Sequence, residues 1–141
     1  MKYAKRILVL MLTMLPVLAS AQLASNQKIV AQVPFEFVIG HQVIPAGECV
    51  VKWATMDAKT LSIRNVDVKL QMFSWALPDQ TNDVAGNYAM VFHKYGNQYF
   101  LRELEVRGSR TIYRLPESPA EAELTAKNVT ATEQILIATL N

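Results

Sequence analysis

The 141 residues include one cysteine, two histidines and five glycines, and only 18% of them carry a charge. The lone Cys49 excludes an internal disulfide and any multi-cysteine zinc or iron–sulfur site. His41 and His93, with no acidic cluster near them in sequence, fall short of the three or four defined ligands that zinc requires. No Gly-rich phosphate loop, nucleophile elbow or zinc-helix motif occurs. Nor is there an apolar run of membrane-spanning length. The longest, Ile7 to Ala19, is interrupted by Thr13 and Pro16. As a helix it would rise about 20 Å, against a hydrocarbon core of roughly 30 Å.

That short run has flanks of its own. Lys2, Lys5 and Arg6 precede it, and Ala19-Ser20-Ala21 follows with small residues where a signal peptidase reads. The layout predicts a cleavable secretory signal over residues 1–21, export to the periplasm or beyond, and no stable membrane span after cleavage. Losing the three cations of the signal turns 14 basic against 12 acidic residues into 11 against 12. A mature chain this close to neutral lacks the clustered Lys and Arg that nucleic-acid binding needs.

From residue 27 to 115 short stretches of alternating apolar and polar residues recur, separated by turn chemistry, with no sustained helical period. This predicts an all-β domain over 22–141: a single antiparallel meander of about seven or eight strands, forming a small barrel or sandwich. Expected strands are Val33–Ile39, Glu48–Thr55, Thr60–Asn65, Lys69–Leu77, Tyr88–Tyr95, Gln98–Val106 and Arg110–Leu115. In the second, Cys49, Val51 and Trp53 face inward. In the fourth, Leu70, Met72, Phe73 and Trp75 supply the apolar residues. Pro78–Asn87, polar and holding Pro and Gly, reads as a surface loop. Beyond Leu115 the composition shifts to helix formers. Ser118 as N-cap and Pro119 in the first turn predict a helix over 117–127 that lies on the sheet through Leu124. The β-branched run near the end predicts a closing strand over 133–140.

Four segments occur in a fixed order: Val33-Pro-Phe-Glu-Phe-Val, Pro45-Ala-Gly-Glu, His93-Lys-Tyr-Gly-Asn-Gln-Tyr-Phe-Leu101 and Leu115-Pro-Glu-Ser. The set resembles a family of small, secreted, uncharacterised bacterial β-domain proteins and spans most of the mature chain. Ile44 and Cys49 depart from the pattern, standing where a leucine and an aromatic residue are usual. The resemblance implies one exported β domain and supplies no catalytic residue.

Individual side chains point the same way. Cys49, in phase with Val51 and Trp53, reads as a small core residue rather than a nucleophile, which would need exposure and a partnering base. His41 falls in a turn, and His93 is expected to bond a backbone or polar neighbour. Glu103 and Glu105 share a strand face; paired carboxylates can hydrolyse glycosides, but Arg102, Arg107 and Arg110 make cross-strand charge pairing the simpler role. No catalytic residue, cofactor or metal is expected. Aromatic residues concentrate in the later strands, and Trp53, Trp75, Tyr88, Phe92, His93, Tyr95 and Tyr99 form a candidate ligand-binding set. The leading expectation is a non-enzymatic envelope or secreted binding or structural module, its partner an unknown protein. The alternative is a carrier whose aromatic-lined barrel cavity holds a small apolar or sugar-like ligand.

Overall fold

The computed structural model describes residues 28–140; the expected signal over 1–21 lies outside them. Eleven strands and one helix form among the described residues, and the fold is mostly β, a nearly closed barrel. Alternation dictates its walls. In β1 (Lys28–Val33), Ile29, Ala31 and Val33 are buried while Lys28 and Gln32 are exposed. β4 (Gly47–Trp53) buries Cys49 and Val51, and β5 (Thr60–Asn65) buries Leu61 and Ile63. Each apolar residue sent to one face takes its polar neighbours to the other, as a two-residue period requires.

Neighbouring strands run β1–β4–β5–β6 on one side, with β6 at Leu70–Trp75. On the other side β1 meets β11 (Thr132–Leu140), then β8 (Tyr88–Tyr95) and β9 (Gln98–Glu105). The expected closing strand is thus present, inserted between β1 and β8. β7 (Leu77–Gln80) follows β6 after one residue, Ala76, and pairs with β10 (Thr111–Arg114), which pairs with β9. The ring of neighbours is therefore completed by the chain itself at Ala76. That residue is fully buried, and its N–H donates to the Lys59 carbonyl at 2.8 Å.

Three expectations are adjusted. The Val33–Ile39 run is not one strand: Pro34 ends β1, and the chain restarts as β2 (Phe37–Ile39), which forms a hairpin with β3 (Gln42–Ile44). β2 also lies parallel to β9, Val38 opposite Phe100, so the otherwise antiparallel sheet contains one parallel pair. The start of the expected 78–87 loop is strand β7, because β10 supplies backbone partners to a segment with no apolar alternation of its own.

One knot joins the turn before β4 to the turn after β5. Asn65, buried, donates to the Pro45 carbonyl at 2.8 Å and accepts from the Asp67 and Val68 amides at 3.0 and 3.3 Å. Asp67 in turn accepts from the Glu48 amide at 3.0 Å. Gly47 sits among them with φ +146°, and a Cβ there would collide with the Asp67 carboxylate. Gly47→Ala is expected to destabilise the protein by roughly 2–3 kcal/mol through strain and loss of this knot. Urea unfolding measures it, and a loss below about 0.5 kcal/mol would mean that Asp67 yields freely.

Candidate functional site

Helix α1 (Pro119–Ala126) packs on the outside of the β8–β9 hairpin. Its ends follow local rules. Ser118 Oγ accepts the Glu121 amide at 3.1 Å and Pro119 opens the first turn, as expected. At the other end Asn128 takes φ +58°. The amides of Asn128 and Val129 donate to the carbonyls of Thr125 and Leu124, a Schellman closure that the sequence reading did not identify.

The residue that docks the helix is not Leu124, which is only half-buried, but Glu121, whose side chain is fully buried. Glu121 Oε2 accepts from Arg102 Nη1 at 2.9 Å; Oε1 lies 2.9 Å from His93 Nδ1 and accepts from Tyr95 Oη at 3.0 Å. An ionised carboxylate only accepts, so the facing Nδ1 carries the proton and Nε2 is left over. Burial first, countered in part by the Thr125 hydrogen bond and reinforced by Glu121, pushes the Tyr95 phenol above its ordinary range.

Sheet geometry explains why these donors converge. His93 and Tyr95 are two apart on β8 and share its outer face. Arg102, next to core residue Leu101, lies on the same outer side and sits at a bulge: Phe92 pairs with Leu101 and Val91 with Glu103, which leaves Arg102 as the extra residue. The Leu115 amide takes up its carbonyl at 2.8 Å. Arg102 thus serves the helix, and none of the expected pairs of Glu103 and Glu105 with Arg102, Arg107 or Arg110 forms among the described residues; Glu103 instead meets Arg114 at 3.6 Å. Arg102, His93 and Tyr95 with Ser118 and Glu121 form an acid–base cluster, but the carboxylate is enclosed. Among the described residues, no group of three or more His, Cys, Asp or Glu is arranged to hold a metal ion.

The seven candidate ligand residues do not meet at one place. Phe92 and Tyr99 belong to a plug at one end of the barrel. There Phe35 stacks on Tyr99 at 3.7 Å, and both Phe35 and Phe37 meet Phe92 edge-on at 5.1 Å. Trp53 and Tyr88 lie at the other end, where Trp53 packs on Tyr113 at 4.3 Å. The hollow beside them measures only about 30 Å³, whereas ligand pockets start near 300 Å³. His93 and Tyr95 are under the helix.

Trp75 lies elsewhere again. With Phe73 it faces outward, because β6 follows strict alternation from Leu70, and the adjacent apolar pair Met72-Phe73 straddles the two faces. Phe73, Trp75 and Leu77 are 61%, 65% and 60% exposed at alternate positions. His41 is exposed, in the turn between β2 and β3. Comparison with family models, curated proteins and solved structures finds no match to this chain.

Two outcomes follow from these contacts. Arg102→Met strands the Glu121 carboxylate and should cost about 3 kcal/mol, against about 1 kcal/mol for Tyr95→Phe; denaturant titration of both variants checks the order.

Cys49 is fully buried, and burial first, then the Asp67 and Glu48 carboxylates, raise its thiol from 9.0 to about 11. Because the folded-state value is the higher, its contribution to stability is complete below pH 9 and is lost as pH rises towards 11. Native protein should resist maleimide at pH 8, and Cys49→Ala should flatten the alkaline fall in stability.

Proposed function

We propose that this is an exported, non-enzymatic binding module that works through the outer surface of its barrel rather than through its interior. The observation that carries the reading is the row Phe73, Trp75 and Leu77, each more than half exposed at successive outward positions. Three large apolar side chains at alternate positions across the β6–β7 junction form a patch of the kind that marks interaction sites. β6 adds a second attraction: it pairs with β5 alone, so its far edge keeps backbone donors and acceptors for a partner. The filled interior weighs against the carrier alternative, since aromatic residues there pack on one another and leave space for water only.

On this reading the acid–base cluster under α1 is structural. It holds the helix against β8 and β9, and its enclosed carboxylate has no path to a substrate. The signal over residues 1–21 delivers the domain to the periplasm or outside the cell, where the outward row meets its partner.

The test is co-sedimentation of the purified protein with the envelope fraction of its own host. The variant Phe73→Ala/Trp75→Ala/Leu77→Ser should lose retention at least tenfold while its unfolding free energy stays within about 0.5 kcal/mol per substitution, as for other surface changes. Unchanged retention overturns the reading. Native mass spectrometry that finds a tightly held small molecule would favour the carrier.

A further inference from the structure

The outward row does not stand alone. Strand register places Lys28, Lys52, Ser62 and Phe73 in one line across β1, β4, β5 and β6. In the line beside it, Arg64 lies opposite Gln71, which donates to Ser62 Oγ at 2.8 Å. Between the two lines runs a groove of about 310 Å³.

The charge of that groove is unbalanced. Lys28 and Lys52 are direct cross-strand partners, and like charges in that position lower stability. Among the described residues neither lysine nor Arg64 forms an ion pair. The one carboxylate lining the groove, Glu48, accepts from Gln32 at 3.2 Å. Three exposed cations around a groove, beside two exposed aromatic faces, are complementary to an anion that also carries apolar faces.

We infer that the outer face of β1, β4, β5 and β6 binds an acidic polysaccharide, its pyranose rings on Phe73 and Trp75 and its carboxylates at Lys52, Arg64 and Lys28. This rests on the reading of that face as the working surface and names its ligand. Axial C–H groups of a pyranose carry partial positive charge and suit the negative face of an aromatic ring. Phe73 and Trp75 stand about 7 Å apart along the strand, and adjacent strands about 4.8 Å apart, so ring and carboxylate of one sugar unit are both within reach. The long Lys and Arg stems extend across the strands between. Nucleic acid is the poorer fit: the chain over 22–141 has 11 basic against 12 acidic residues, with no general field for a dense polyanion. A protein partner docking on apolar side chains alone would leave the three cations without a role.

The test is calorimetric titration of the purified protein with polygalacturonate, alginate and hyaluronate. Fully methyl-esterified pectin serves as the ring-matched neutral control and oligo(dT) as the nucleic-acid control. At least one acidic polymer should bind, with affinity falling tenfold or more on esterification, in Lys52→Gln/Arg64→Gln and in Phe73→Ala/Trp75→Ala, all at unchanged unfolding midpoints. Equal binding of the esterified polymer, tighter binding of oligo(dT), or silence with all three acidic polymers overturns the inference. If the polymers are silent but the Phe73, Trp75 and Leu77 substitutions still abolish envelope retention, the ligand is wrong and the surface right. If retention also survives those substitutions, the surface is wrong as well.

Discussion

A sheet that curls into a nearly closed barrel must pass from one wall to the other, and here that passage falls on one small residue. At Ala76 the strand stops pairing with β5 and starts pairing with β10. Only a short side chain fits where the two halves of the wall converge, and Ala76 is wholly enclosed there. The alternation of faces runs on through the switch, so the residues on either side keep pointing outward. Closure and the exposed aromatic row are thus products of the same stretch of chain. A bulky residue at position 76 would force apart the two walls that define both inside and outside.

Attachment of the helix obeys a different economy. A helix of eight residues with little apolar surface cannot hold on to a sheet by burial alone. It is fastened by a buried carboxylate that accepts from three donors, and the arrangement is tolerable because both its oxygens are engaged. The bulge at Arg102 shifts the alternation by one residue, so that Leu101 and Leu104, three apart, both face the core while Arg102 stays on the helix side. The segments His93 to Leu101 and Leu115 to Ser118 supply His93, Tyr95 and Ser118 to this contact.

How far the sequence was readable follows from which interactions are local. Alternation exposed most of the long strands, the caps at Ser118 and Pro119 exposed the start of the helix, and the apolar tail exposed the closing strand. Reading failed where the partner, not the segment, decides. Leu77 to Gln80 becomes a strand because β10 lies alongside. Met72 and Phe73, adjacent and both apolar, gave no clue to which faces the core. The Glu121 contact spans 19 residues to Arg102 and 28 to His93, and no local pattern encodes that.

The pairing of β1 with β11 has a consequence for how the chain matures. Ile29 lies opposite Leu140, so the first described strand waits for nearly the last residue before its second flank is filled. Until then β1 is a template with one side open, and the neighbouring β8 is bare along the groove that β11 will occupy. Assembly of such long-range pairs is slow compared with hairpin formation. A polypeptide emerging with its N-terminus first is therefore most vulnerable until β11 has joined β1 and β8, the interval in which a holdase would have the greatest effect.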